Sequence, residues 1–140
     1  MSISTTNLRK KLSEASFRGQ LTSEEFDRIF RDAVKNEPQR IKIILLCAGG
    51  MSTSMLVKNM QKAAADEGFE CEIAAYPQAD AKDKAYDADC ILLGPQIRFA
   101  KAKVAEACPG VPIDAIDMKI YGRMDGKGAL AVAKKLIAFG

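Results

Sequence analysis

The 140-residue chain contains no histidine and no tryptophan. Without histidine, neither a Ser-His nor a Cys-His catalytic pair can form within it, and the commonest metal ligand is missing. Its four cysteines, Cys47, Cys71, Cys90 and Cys108, lack the C-x-x-C pairing of a zinc or thioredoxin-like site. Nothing in the pattern asks for a metal or another cofactor. Aromatic residues make up 6% of the chain and the net charge is +3. Residues 1–40 carry 8 basic and 6 acidic side chains, and residues 41–140 carry 13 and 12. Neither part has the dense basic stripe of a nucleic-acid binder, so no nucleic acid is expected as a partner. No apolar run approaches the length of a membrane span, which predicts no direct membrane insertion. Residues 1–40 also lack the apolar h-region of a secretory signal. The expected location is therefore cytoplasmic, where a disulfide framework is not expected.

Apolar residues make up 48% of the chain, enough for a domain with a real core. Residues 1–40 read as a helical N-terminal extension. Leu8, Leu12 and Ala15 have helical spacing, and Gly19 breaks it. Thr22-Ser23-Glu24-Glu25 reads as a capping box for a second helix over about 23–35. Phe26, Ile29, Phe30 and Val34 form its apolar face. Two short helices cannot bury those phenylalanines alone, so they must dock on the main domain, another copy or a partner.

Residues 41–140 read as one domain of alternating strands and helices. Strands are expected over about 41–46, 71–75, 90–93 and 111–116, with helices over about 53–67, 99–108 and 128–139. Residues 77–86 read as a loop with a short helix, and 121–126 as a loop. The first and third strands are nearly continuous apolar runs, as in strands buried on both faces. The predicted fold is α/β: a four-stranded parallel sheet with helices on both faces. Ligands in such folds bind beyond the carboxyl ends of the strands. The loop after Cys47, the segment Gly94-Pro95-Gln96 and residues 117–126 are all expected at that edge.

Cys47-Ala48-Gly49-Gly50-Met51-Ser52-Thr53-Ser54 ends the first strand and leads into a helix. A loop in that position can aim backbone N–H groups at one point, where the helix adds partial positive charge. That environment suits a phosphoryl group and lowers the pKa of a thiol. Cys47 is thus a candidate nucleophile. Ala48, Gly49, Gly50, Met51, Ser52, Thr53 and Ser54 are candidates for binding the phosphoryl oxygens, with Ser52, Thr53 and Ser54 also able to cap the helix. The glycines and hydroxyls also suit a plain tight turn and N-cap. Cys71, Cys90 and Cys108 read as small apolar core residues.

Cysteine-dependent phosphatases carry a loop of the form C-x5-R, and Thr53 stands at the arginine position here. The guanidinium that would clamp a phosphate bidentately is missing. That argues against the alternative of a phosphatase or arsenate-reductase-like enzyme. A carrier that must protect its phosphoryl group from water tolerates the loss. A non-catalytic anion sensor is a third reading.

Cys47-Ala-Gly-Gly-Met-Ser-Thr-Ser54, Leu92-Leu-Gly-Pro-Gln-Ile97 and Tyr121-Gly-Arg-Met-Asp-Gly126 occur in the order and spacing of one known family. Over about residues 41–138 the chain resembles the IIB components of bacterial sugar phosphotransferase systems, lactose/chitobiose/cellobiose class. The resemblance implies that Cys47 takes a phosphoryl group from a phosphohistidine on a IIA protein. It implies transfer to a sugar held by the membrane component IIC, with the protein at the inner face of the membrane when docked there. It also implies that backbone N–H groups from Ala48 to Ser54 bind the phosphoryl oxygens, and a four-stranded parallel sheet. Members usually begin close to the first strand, whereas some 40 residues precede it here. The extension, lacking histidine, cannot be a IIA phosphorylation site. Gln96 and Asp125 lie on loops expected to surround the phosphate. Gln96 would orient a partner or donate a hydrogen bond. Asp125 would be a general acid or, beside Gly126, part of a simple turn. Arg98 and Arg123 would meet a partner's charges or be solvated.

Overall fold

Isoleucine and leucine in unbroken succession need cover on both sides, and the strand Ile41–Cys47 (β1) receives it. The computed structural model describes residues 24–26, 28–29, 41–48 and 51–139. Every β1 residue except Lys42 is buried. A helix, α1 (Met51–Glu67), returns the chain to the second strand, β2 (Cys71–Pro77). A 3₁₀ turn (Gln78–Asp80) and a short helix, α2 (Ala81–Lys84), lead to β3 (Cys90–Leu93). A second 3₁₀ segment (Pro95–Ala100) and α3 (Lys101–Ala107) lead to β4 (Ile113–Ala115). The chain closes with α4 (Met118–Gly122) and α5 (Gly126–Phe139).

The four strands form one parallel sheet in the order β2-β1-β3-β4. The two apolar strands, β1 and β3, are central. Because successive side chains in a strand point to opposite faces, β1 serves two cores. Ile43 and Leu45 join a cluster with Leu56 and Met60 of α1 and Leu130 and Ile137 of α5. Ile44 and Leu46 join another with Ala81 of α2, Ile97, and Val104 of α3. Each fully buried aliphatic side chain of this size contributes about 1.5–3 kcal/mol through lost apolar exposure.

The element ends follow local chemistry. α1 stops at Gly68 (φ 71), where Phe69 N–H donates to the Ala64 carbonyl in a closing turn. α5 starts at Gly126 because the chain presses there against α1. A Cβ at Gly126 would lie 2.2 Å from the Asn59 carbonyl carbon, so only glycine fits.

Several expected boundaries move. β1 extends to Cys47, and β2 runs to Pro77 because Tyr76 and Pro77 pair with Leu46 and Cys47. Proline is tolerated there because β2 is an edge strand. α1 begins at Met51, so Ser52, Thr53 and Ser54 lie in its first turn rather than before it. The segment after Gly94 is a 3₁₀ segment before α3, kinked within by a non-helical Ile97. β4 is shorter than expected. Residues expected as a loop form α4, whose N-cap Asp117 accepts a hydrogen bond from Lys119 N–H at 2.7 Å.

The expected helix carrying Leu8, Leu12 and Ala15 lies outside the described residues, as do Phe30 and Val34. Residues 24–26 and 28–29 are helical. Phe26 is buried in the α1–α5 core, with Ile29 packed against that core. Its ring centroid lies 5.8 Å from that of Phe139.

Candidate functional site

The carboxyl edge of the sheet gathers residues far apart in the chain. Cys47 is the last residue of β1, and α1 begins at Met51. The sulfur therefore lies where the chain turns into a helix N-terminus, a place that favours negative charge. Gly49 and Gly50 lie outside the described residues, as do the side chains of Met51 and Ser52. Ala48 and Ser54 are exposed, and Thr53 is fully buried.

Thr53, expected as a cap or a phosphate ligand, lies in the first turn of α1. Its Oγ1 lies 3.1 Å from the Cys47 Sγ. On the other side of the sulfur, the Tyr76 carbonyl lies 4.0 Å away, within reach of a thiol S–H. Tyr76 enters the site only because β2 continues past its expected end. Sequence periodicity missed it, since Pro77 reads as a loop start.

Gly94 docks the turn after β3 onto the same point. Its N–H donates to the Leu46 carbonyl at 2.9 Å. A Cβ on Gly94 would lie 3.8 Å from the Cys47 Cβ and 3.1 Å from the Gln96 Oε1. Gln96 is thus beside the Cys47 strand end and exposed. Two grooves open on this edge. One, of about 630 Å³, reaches from Ala48 past Pro77 and Lys82 to Lys103. The other, of about 470 Å³, runs between Gln96, Arg98, Met118 and Tyr121. Phe99 lines both and is 80% exposed; Met118 is 70% exposed. These two apolar side chains carry no periodicity signal that would separate them from core residues.

Asp125 has a different occupation. Its Oδ1 accepts from Gly128 N–H at 3.0 Å, the bond of an N-cap on α5. The preceding Met124 carbonyl accepts from the Asn59 amide of α1 at 2.8 Å. The segment reaches the site edge through Tyr121 and Gly122, which line the smaller groove. Arg98 and Arg123 are exposed.

The remaining cysteines lie apart from this chemistry. Burial pushes the Cys90 thiol up strongly, and that of Cys108 up as well. Cys108 Sγ donates to the Ala81 carbonyl at 3.4 Å. None of the four cysteines is in a disulfide. Among the described residues no group of three or more His, Cys, Asp or Glu side chains could hold a metal ion, and no helix is long and apolar enough to cross a membrane.

Residues 42–132 match the model of the family described as PTS system, Lactose/Cellobiose specific IIB subunit. A cellobiose-specific EIIB component of Lactococcus lactis is 48% identical over 102 residues, covering 68% of this chain and 94% of that protein. An oligo-beta-mannoside-specific EIIB component of Bacillus subtilis is 41% identical over 98 residues, covering 69% and 95%. The solution structure of a cellobiose-specific phosphotransferase IIB component from Borrelia burgdorferi superposes with a TM-score of 0.61. It is 34% identical, covering 72% of this chain and 94% of that one.

Proposed function

Because this chain belongs to the family of lactose/cellobiose-specific IIB subunits of the phosphotransferase system, we propose that it carries a phosphoryl group on Cys47 between two partners. Family members are phosphotransferases, which places the reaction class. The observation that carries the residue assignment is the position of Cys47: a thiol at the end of β1, before the N-terminus of α1, with the Thr53 hydroxyl on its sulfur.

The chain has no histidine, so the donor imidazole belongs to another protein. The donor in this reading is a IIA protein phosphorylated on histidine. The Cys47 thiolate attacks phosphorus, an S–P bond forms, and the N–P bond breaks to release the imidazole. Backbone N–H groups between Ala48 and Ser54 hold the phosphoryl oxygens and stabilise charge during transfer. A sugar hydroxyl on the membrane component IIC then attacks phosphorus and gives its proton to a base there. The S–P bond breaks and the thiolate returns. The protein works in the cytoplasm, at the inner membrane face when docked on IIC. The sugar is a β-linked disaccharide in this reading, and the choice among such sugars belongs to IIC.

The exposed Phe99 and Met118 beside the site supply an apolar surface for the partners. The lysines on the larger groove add positive charge that attracts a phosphorylated partner. Thr53 in place of an arginine disfavours the phosphatase alternative, because no guanidinium clamps the phosphate for water attack.

Intact-protein mass spectrometry tests the proposal. The chain is incubated with phosphoenolpyruvate, the general phosphotransferase proteins and the matching IIA. One phosphoryl adduct is expected on the wild type and none on Cys47→Ser, because an unactivated hydroxyl is a far weaker nucleophile. No adduct from a demonstrably phosphorylated IIA, together with sustained turnover of an aryl phosphate, would instead identify a phosphatase.

A further inference from the structure

A hydroxyl buried in a protein bonds to something, and the fully buried Thr53 hydroxyl lies on the sulfur of a residue six positions earlier. We propose that Thr53 is a positioning residue for Cys47: its hydroxyl donates to the thiolate, favouring the ionised form and fixing the direction of attack. This rests on the carrier reading of Cys47, and assigns to the Thr53 side chain a task separate from holding phosphoryl oxygens.

Two neighbours of the sulfur favour opposite states. The Tyr76 carbonyl at 4.0 Å can only accept, so it favours the protonated thiol. The Thr53 hydroxyl at 3.1 Å can donate, and a thiolate can only accept, so ionisation makes that bond charge-assisted. Donation to the charged form lowers the pKa of an acid.

Other polar groups among the described residues lie around this edge of the sheet. β2 brings Tyr76, with the Lys84 ammonium 5.9 Å from its ring centre. The larger groove brings Lys82 and Lys103. The turn after β3 brings neutral Gln96, with Arg98 beyond it. The Asp125 carboxylate is engaged with Gly128 N–H. The Thr53 side chain is in direct contact with the sulfur.

The same bond serves both directions of transfer. When the S–P bond forms, the thiolate has already been aimed. When it breaks, charge returns to sulfur, and the Thr53 hydroxyl is in place to meet it. An arginine at this position would reach out to the phosphoryl oxygens. The short threonine side chain stops at the sulfur and leaves the phosphate without a guanidinium.

The test is the thiolate titration of Cys47, read as the ultraviolet absorbance difference between each protein and its Cys47→Ser counterpart. Thr53→Val removes the hydroxyl at nearly constant volume and is expected to raise the midpoint by about one pH unit. Thr53→Ser keeps the hydroxyl and is expected to keep the wild-type midpoint. Phosphoryl uptake by Thr53→Val should be about tenfold slower at neutral pH and recover as pH rises, which a merely structural lesion would not do. If Thr53→Val does not fold, Thr53→Ala is read in the same way. Coincident midpoints for the wild type and the hydroxyl-free variant would overturn the proposal. The titration needs no donor, so a raised midpoint supports the Thr53 bond even if the wild type takes up no phosphoryl group, a result that would sink the carrier reading alone.

Discussion

The two ends of the sheet are built for different tasks. At the carboxyl end, Cys47 and Gly94 lie close together, two grooves open, and Phe99 and Met118 face solvent. At the amino end, the chain is tied shut. Phe26 packs with Phe139 at the close of α5. Lys134 of α5 is buried, pairs with Glu67 at the end of α1, and lies 5.5 Å from the centre of the Phe69 ring. Lys42 at the start of β1 bonds Asp87 at 2.8 Å, and Asp89 Oδ2 accepts from Lys42 N–H. Parallel strands and antiparallel helices make this division natural. Helix N-termini and strand ends with spare polar groups meet at one edge, and helix C-termini meet at the other.

That contrast makes Phe26→Ala the strongest blow to the closed end. Losing a buried phenylalanine should lower stability by about 3 kcal/mol in urea unfolding, while phosphoryl uptake by the remaining folded protein stays at the wild-type rate. An unchanged unfolding midpoint would mean that Phe26 contributes nothing to the core. Lost uptake in the folded protein would mean that the extension reaches the site after all.

The converse experiment is Phe99→Ala at the open end. An exposed side chain adds little to folding, so the unfolding midpoint should hold within about 0.5 kcal/mol. The concentration of phosphorylated IIA needed for half-maximal uptake should rise about tenfold, as for an apolar anchor at an interface. Equal half-maximal concentrations would remove Phe99 from the proposed docking surface.

The smallest expected effect concerns the Lys42–Asp87 pair. The Lys42 pKa is raised above its usual 10.5, chiefly by its hydrogen bond to Asp87. A raised lysine pKa stabilises the fold fully below the unfolded value and loses that contribution as pH climbs through the folded value. Asp87→Asn should therefore lower stability by a few tenths of a kcal/mol at neutral pH. The gap should close only above about pH 10.5. A gap that persists at the most alkaline pH the fold survives would assign the effect to something other than the charge on Lys42.

Much of the fold was legible because its signals are local. The apolar runs of β1 and β3 announce burial on both faces, and Gly68 announces the end of α1. Element ends were less legible where pairing overrides composition. Pro77 reads as a breaker, yet it pairs with Cys47 because an edge strand does not need its N–H on the outer side. Asp117-Met118-Lys119 reads as a loop start, yet a single carboxylate cap turns it into α4. Within the site, Cys47 and the neighbouring Gln96 could be placed from sequence. The cap made by Asp125 could not, because it depends on where α5 begins, and α5 begins where Gly126 meets Asn59.

The sequence by itself determined the architecture, the candidate nucleophile, the lack of histidine in the chain and a threonine, not an arginine, six residues after Cys47. Each of these depends on residue identity at fixed spacing along the chain. Tertiary structure alone decided that Tyr76 faces the sulfur, that the Thr53 hydroxyl turns to Cys47, that Asp125 is occupied as a cap, and that Phe26 is docked at the far end. Those contacts depend on strand register and helix packing, which bring together groups whose separation along the chain carries no periodic signal.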